Sequence, residues 1–170
     1  ALGVAGLAVA AGYALHRNPP VQEIEPGTLG IRINAWNSST DEWREGTVFV
    51  VPGVHKLRVY PLRDQTYRPD SIATASGPAP LQSVEGLSLG VDLTVRYALD
   101  AARISANWRT LGDDVGGEIV EPAVQGIIYK TFARYTVREI FSSKRVEIQE
   151  SIEKELGAKL AADGVLLRAV

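Results

Sequence analysis

The stretch Leu89–Leu99, LGVDLTVRYAL, decides the fold because large apolar residues alternate in it with small, polar or charged ones. The apolar set is Leu89, Val91, Leu93, Val95 and Tyr97, and the opposite set is Gly90, Asp92, Thr94, Arg96 and Ala98. A period of two residues places the two sets on opposite faces of an extended chain. The stretch is therefore predicted to be a half-buried strand of an antiparallel-type sheet.

The hydrophobic period changes from two to 3.6 residues after this strand. A stripe with helical spacing begins after Gly116-Gly117, and Pro122 falls in the first turn, where proline is tolerated. The stripe comprises Ile119, Val120, Ala123, Val124, Ile127, Ile128 and Phe132. Thr136 and Glu139 have the spacing of a capping box, which predicts a second, short helix. A third helix is predicted from the four-residue repeat of Ile148, Ile152, Leu156 and Leu160.

Asp163-Gly164 is expected to end the third helix, and Val165–Val170 then reads as another strand. Upstream of Leu89, the sequence alternates between β patterns and turn residues. The predicted segments are a hairpin at Val21–Asn34 with its turn at Glu25-Pro26-Gly27, a polar turn at Asn37–Glu42, strands at Thr47–Val51 and His55–Tyr60 (with Leu57 and Val59 on one face), and a loop at Ile72–Ser88. Strands followed by helices and a closing strand favour the α+β class.

The first fifteen residues contain no charged side chain and are followed by His16, Arg17 and Pro19-Pro20. Fifteen helical residues span about 22 Å, which is less than the roughly 30 Å of a hydrocarbon core. A signal-peptide core, a buried helix and the end of a transmembrane helix all remain open, and we favour the last. Because the chain contains no methionine, we expect that it begins inside a longer protein. The predicted anchor is residues 1–17, with membrane contacts from Leu2, Val4, Leu7, Val9, Tyr13 and Leu15.

Composition argues against several classes of function. A net charge of -2 disfavours nucleic-acid binding, which usually requires a basic surface. The absence of cysteine excludes disulfides and thiolate sites, and two histidines offer few acid–base groups. The sequence Asp113, Asp114, Glu118 lacks the spacing of a calcium loop and is typical of an acidic helix N-terminus. No catalytic residue, metal site or cofactor is predicted, and we expect that the protein is not an enzyme.

Two sets of side chains are predicted to make intermolecular contacts. Aromatic and apolar residues near the anchor suit a membrane interface, and the alternative for the tryptophans is a place in the core; the predicted interface residues are Trp36, Trp43, Phe49 and Val50. The exposed side of the third helix mixes charges of both signs, which suits a contact between subunits. Its predicted interface residues are Lys144, Arg145, Glu147, Glu150, Glu153 and Lys154.

The order of these elements resembles the SPFH (band 7) superfamily, and its prohibitin branch in particular. The matching strings are VQEIEPGTLGIRIN at 21–34, GTVFVVPGVH at 46–55, PLRDQTY at 61–67, VDLTVRY at 91–97, IVEPAV at 119–124 and TVREI at 136–140, followed by Lys144-Arg145 and Gly164-Val165. Together they cover nearly the whole chain in order. Lys56–Tyr60 departs from the apolar dip of many relatives, and Thr47–Val54 could take its place.

The resemblance implies a non-catalytic scaffold with a transmembrane helix before an α+β SPFH domain. The implied organisation is a membrane-proximal β-rich subdomain at 21–60 and an α+β core at 61–170, ending before an expected coiled coil. Such proteins form homo- or hetero-oligomeric rings or cages that organise membrane lipids and microdomains, and some surround an AAA membrane protease. A monomeric secreted or peripheral binding domain with a cleaved signal is the alternative. The expected location is a single-pass protein of a bacterial inner membrane, with its domain on the non-cytoplasmic (periplasmic) side.

Overall fold

The computed structural model describes residues 12–13, 19–142 and 144–170. The chain divides into two compact units, the first ending at Leu62 and the second comprising Arg63–Val170. The predicted anchor at residues 1–17 lies outside the described residues, except for Gly12 and Tyr13, which are helical and exposed. Among the residues that the structure describes, no helix is both long and apolar enough to cross a bilayer.

The first unit is built from short antiparallel strands: β1 (Val21–Ile24), β2 (Thr28–Asn34), β3 (Thr40–Trp43), β4 (Gly46–Phe49) and β5 (His55–Pro61). Strand β2 lies between β3 and β5 in a three-stranded sheet, and β1 pairs with β4 in a separate two-stranded ribbon. Ile24 and Val48 of the ribbon, together with Val50 just after β4, form a small buried core, against which Trp43 and Leu57 pack.

The predicted hairpin at Val21–Asn34 has the expected turn, but its two strands do not pair with each other. Strand β1 instead pairs with β4, with Val21 opposite Phe49 and Ile24 opposite Gly46. Ile24 packs against β2 at Gly30, where an added Cβ would overlap the end of the Ile24 side chain. Packing of β1 onto the sheet, in place of pairing within it, is therefore possible because residue 30 is a glycine.

Two further expectations for the first unit are corrected by the structure. The polar stretch predicted as a turn at Asn37–Glu42 is a turn only as far as Ser39, and its second half belongs to β3, an edge strand whose exposed position suits its polar residues. In β5 the fully buried residue is Tyr60, opposite Leu29 of β2, whereas Val59 is about half exposed. The predicted apolar face of β5 is therefore only partly covered.

The second unit combines a three-stranded sheet with helices. Its strands are β6 (Gln65–Tyr67), β7 (Leu81–Gln82), β8 (Ser88–Leu89), β9 (Val95–Leu99) and β10 (Val165–Ala169). Antiparallel β9 lies between β10 and β6, and β7 pairs with β8. A 3₁₀ turn covers Asp70–Ile72 and a π-helical turn covers Gly116–Val120. The α-helices are α1 (Ala101–Asn107), α2 (Glu121–Phe132), α3 (Val137–Phe141) and α4 (Arg145–Ala162).

The helices predicted from periodicity are confirmed. Thr136 caps α3 in a capping box with Glu139, and the buried residues of α4 are the four of the predicted repeat. Gly164 ends α4 with a φ of 81°, a left-handed conformation that glycine adopts at little cost. The short helix α1 was not predicted; its N-cap is Asp100, whose side chain accepts a hydrogen bond from the Ala102 N–H.

The stretch Leu89–Leu99 is only partly a strand. The predicted alternation of burial holds from Leu89 to Tyr97, but the ladder of β9 covers Val95–Leu99 alone. Residues 90–94 continue the alternation outside any ladder. Periodicity therefore predicted the side-chain pattern correctly and overestimated the extent of pairing.

Candidate functional site

The strand order brings several chain segments together at one end of the first unit. Here β1 and β5 begin, β2 and β4 end, and the turns at 35–39 and 50–54 lie beside them. The Val50 N–H donates to the Pro20 carbonyl at 2.7 Å, and the Ala35 N–H donates to the Val54 carbonyl at 2.8 Å. The segment that enters from the N-terminal residues is thus tied to the turn at 50–54, which is in turn bonded to the turn at 35–39. We refer to this region as the N-terminal end of the first unit.

Apolar side chains are exposed at the N-terminal end. Val21 and Phe49 are direct cross-strand partners, with relative exposures of 54% and 57%. Trp36, in the turn that follows β2, is 83% exposed. Trp36 and Phe49 were predicted as interface residues, whereas Val21 was missed. The alternation of β1 carries the relevant signal, because Ile24 is buried and Val21, three residues earlier, lies on the opposite face.

The other two predicted interface residues lie in the core of the first unit. Val50 is only 5% exposed, and Trp43 packs against the cluster of Ile24, Val48 and Val50. The Nε1 atom of Trp43 is buried and has no hydrogen-bond partner among the residues that the structure describes. Val50 is therefore corrected to a core residue, since adjacent strand positions such as 49 and 50 face opposite sides. Trp43 serves the packing of β3 against the ribbon.

Polar groups hold the N-terminal end together. The Arg32 guanidinium donates to the Phe49 carbonyl at 2.9 Å and forms an ion pair with Asp41 at 2.6 Å. It therefore links β2 to β4 as well as to β3. The His55 Nδ1 atom accepts a hydrogen bond from the Val51 N–H at 3.2 Å within the Pro52-Gly53 turn. These contacts fix the backbone that presents Phe49 and Trp36.

The second predicted surface is the exposed face of α4. Lys144, just before the helix, is engaged within the chain: its ammonium group lies 3.4 Å from Glu139 and 5.9 Å from the centre of the Tyr135 ring. Glu153 is partly buried and lies within hydrogen-bonding distance of the Gln149 amide, at 3.4 Å. The remaining predicted residues are exposed and make no ion pair with any described residue; they are Arg145, Glu147, Glu150 and Lys154.

A model of the SPFH domain / Band 7 family matches residues 22–170, which begin at the second residue of β1 and run to the last residue of the chain. The chain belongs to the SPFH / Band 7 family. No curated protein matches it at a significant level. SPFH domains are generally membrane-associated scaffolds that commonly form oligomers, and they are generally not enzymes. The resemblance deduced from the ordered sequence strings is thereby confirmed.

The perturbed titratable groups of this SPFH domain have local structural causes. Burial raises the pKa of Tyr97, and the nearby Asp114 carboxylate raises it further; the Tyr97 hydroxyl donates to Gln65 at 2.8 Å. Hydrogen bonds from the Thr136 backbone and hydroxyl lower the pKa of Glu139. Among the residues described, no three histidine, aspartate or glutamate side chains are grouped to hold a metal ion.

Proposed function

We propose that this SPFH protein is a membrane-anchored scaffold whose copies assemble side by side into a ring or cage that organises membrane lipids and proteins. The observation that carries the proposal is the N-terminal end of the first unit, where Trp36, Phe49 and Val21 are exposed beside the point at which the N-terminal segment joins β1. In this proposal residues 1–17 are a transmembrane anchor. Residues 21–60 are the membrane-proximal subdomain and residues 61–170 the α+β core.

Membrane contact at this end follows from the chemistry of its side chains. Tryptophan prefers the boundary between lipid and water, where its ring is covered and its N–H stays hydrated, and the apolar ring of phenylalanine is stabilised when lipid covers it. The segment Ala1–Leu15 is uncharged, and only residues 16–20 separate it from the strand that carries Val21. An apolar segment and an aromatic surface together give a more stable attachment than either one alone, because their binding free energies add.

Lateral assembly follows from the exposed face of α4. The exposed side chains of Glu147, Glu150 and Lys154 make no ion pair with any described residue, so they are available to a neighbouring copy. Each such contact is weak in water, but many identical contacts in a closed ring on a membrane give a stable assembly. The proposal has two further parts. The scaffold regulates an AAA membrane protease, and it lies in a bacterial inner membrane with its domain on the periplasmic side.

The test is the size of the assembly after extraction from membranes in a mild detergent. Electron microscopy and mass photometry should show closed particles of many subunits. Reversal of charge at Glu147, Glu150 and Lys154, as Glu147→Lys, Glu150→Lys and Lys154→Glu, should break them into small species. A matched triple variant of the first unit, at Glu25, Glu42 and Arg44, should leave them intact. A parent protein that is a dispersed monomer in both detergent and membranes would contradict the scaffold and support a peripheral binding domain.

A further inference from the structure

The turn between β7 and β8 presents two exposed apolar side chains. The two strands pair over only two residues each. In the connecting turn, Val84 is 57% exposed and Leu87 is 55% exposed. The hydroxyl of the buried Ser83 accepts a hydrogen bond from the Leu87 N–H at 3.3 Å, which closes the turn. We refer to residues 83–87 as the hairpin tip.

The hairpin tip is also bonded to the turn between α2 and α3. The Val84 N–H donates to the Tyr135 carbonyl at 3.0 Å, and the Glu85 carboxylate accepts a hydrogen bond from the Val137 N–H at 3.2 Å. These contacts hold the tip in one conformation on the body of the second unit. Because the tip is ordered in advance, a partner that covers it loses less free energy to ordering.

Opposite charges flank the two apolar side chains of the hairpin tip. Glu85 belongs to the tip, and Arg138 directly follows Val137, to which Glu85 is bonded. Both side chains are exposed, and neither makes an ion pair with any described residue. The tip therefore offers an apolar contact together with one free carboxylate and one free guanidinium.

A cleft of about 520 Å³ lies at the other end of α2. Its lining includes Pro122 and Ala123 in the first turn of this helix, whereas the hairpin tip is bonded to Tyr135, just beyond the last turn. The helix has 12 residues and is therefore about 18 Å long. The hairpin tip is thus separated from the cleft of its own chain by the length of α2.

The cleft has an apolar floor and a charged rim. Leu111 and Ala123 of the lining are buried. Lys159 and Asp163, at the end of α4, are exposed at the rim and make no ion pair with any described residue. The volume lies within the roughly 300 to 1,000 Å³ of binding clefts. The cleft therefore suits aliphatic side chains that are accompanied by charges of both signs.

We propose that the hairpin tip of one copy inserts into this cleft on a second copy. The two apolar side chains of the tip cover the floor, while Glu85 meets Lys159 and Arg138 meets Asp163, so that each free charge faces one of opposite sign. A lipid surface would cover the apolar side chains of the tip but would not account for the matching cleft. This inference rests on the proposed side-by-side assembly and names the surfaces that join in it.

The contact is head-to-tail, because its two halves lie at opposite ends of α2 in each copy. A head-to-tail contact leaves one tip and one cleft open in every dimer, so further copies add until the ring closes. The charged face of α4 is then a second contact between the same neighbours. Each contact is weak alone, and their repetition around the ring stabilises the assembly.

Exchange of the charges at positions 85 and 159 tests the pairing in the full chain, extracted in mild detergent. Glu85→Lys and Lys159→Glu should each raise the protein concentration needed for half-assembly about fivefold, because like charges then meet. An equimolar mixture of the two variants should recover the parent value, because every tip can then meet a cleft of opposite charge. Recovery also shows that both variants fold. Glu42→Lys, at an exposed carboxylate of the first unit, is the matched control and should have no effect.

The apolar part of the contact is tested by Leu87→Ser. This substitution should raise the concentration for half-assembly about tenfold, since a buried leucine becomes a polar residue. Val59→Ser, at a similarly exposed residue of the first unit, should leave the assembly unchanged.

Cross-linking tests the head-to-tail order, because the chain contains no cysteine of its own. A variant with Leu87→Cys and Ala162→Cys, the latter in the cleft lining, should give on oxidation a ladder of dimers, trimers and larger species. Each single cysteine variant should stay uncross-linked. A ladder that stops at the dimer would refute the head-to-tail order.

Two results separate this inference from the proposed function. Large assemblies that form in the parent and persist unchanged in Glu85→Lys, Lys159→Glu and Leu87→Ser would overturn the hairpin contact and leave the scaffold in place. A parent chain that is a monomer in both detergent and membranes would refute the scaffold and the contact together. Loss of binding to anionic vesicles with Leu87→Ser, at unchanged assembly size, would assign the hairpin tip to lipid instead of a second copy.

Discussion

Replacing Phe49 by serine should detach the N-terminal end of the first unit from the membrane surface. Phe49 is 57% exposed and lies opposite Val21, so it contributes a large share of the apolar surface at this end. A phenylalanine side chain presents about 200 Å², and the exposed fraction is therefore about 110 Å². At about 25 cal/mol per Å², complete coverage by lipid would contribute about 3 kcal/mol. Coverage of half that area corresponds to a tenfold change in the ratio of docked to undocked molecules.

The assay uses Trp36 as its own reporter. In a chain that carries Trp43→Phe and Trp108→Phe, the fluorescence of Trp36 should be quenched when the protein is reconstituted in vesicles containing brominated lipids. Phe49→Ser should reduce this quenching in proportion to the undocked fraction. Val59→Ser is the matched control, because Val59 is a similarly exposed residue of the same unit but lies in the interior of β5.

Three outcomes would refute this reasoning about the N-terminal end. The first is an absence of Trp36 quenching in the parent chain. The second is quenching that Phe49→Ser leaves unchanged, and the third is an equal loss with Val59→Ser. Circular dichroism of each variant should match the parent, because Phe49 lies outside the core that Ile24, Val48 and Val50 form.

The remaining predictions concern stability, measured as the free energy of unfolding in urea. Leu156→Ala should cost about 2 to 5 kcal/mol because Leu156 is fully buried, whereas Lys154→Ala at an exposed site of the same helix should stay within about 0.5 kcal/mol of the parent. Gly164→Ala should cost about 1 to 2 kcal/mol, because its φ of 81° is left-handed. Thr136→Ala should cost about 1 kcal/mol by removing the cap of α3. The pKa of Glu139 is lowered in the folded state, so its ionised carboxylate stabilises the fold. This contribution to the free energy of unfolding is fully present above the ordinary pKa of 4.5 and is lost as pH falls through the lowered pKa. Glu139→Gln should remove this part of the pH dependence of stability.

The helices could be predicted from sequence because their signals are local. The repeat of Ile148, Ile152, Leu156 and Leu160 needs only the geometry of one helix to define a buried stripe. The capping box at Thr136 and the glycine at 164 are likewise read within four residues of chain. The stripe of α4 could therefore be predicted to be buried without knowing which residues pack against it.

The pairing of β1 could not be predicted in this way. Glu25-Pro26-Gly27 is a sound turn signal, and consecutive strands joined by such a turn usually pair. The partner of β1 depends instead on how the ribbon packs against the sheet. Ile24 of β1 lies against β2 at Gly30, and β1 pairs with β4. An isolated glycine in a strand pattern indicates a close approach but does not identify which residue approaches.

Which of the predicted interface residues are exposed also could not be predicted from the sequence. Phe49 and Val50 are neighbours in a run of apolar residues, and their apolar character alone does not distinguish a buried from an exposed position. Their faces differ because Phe49 pairs opposite Val21 on the outer face of the ribbon, whereas Val50 joins the core. A continuous apolar run has no internal alternation, so the sequence alone could not decide which residue of the two is exposed.

Single exposed apolar residues are ordinary on soluble domains, and Val59 or Val84 alone needs no explanation. The case for membrane contact therefore depends on position. Trp36, Phe49 and Val21 belong to three separate segments, and the strand order brings all three to the end at which the uncharged N-terminal stretch joins the fold. Arg32 bonds the backbone at Phe49 and thereby holds the outward-facing ring on a fixed strand. The proposal of membrane contact at this end rests on this convergence of three segments and not on the exposure of any one residue.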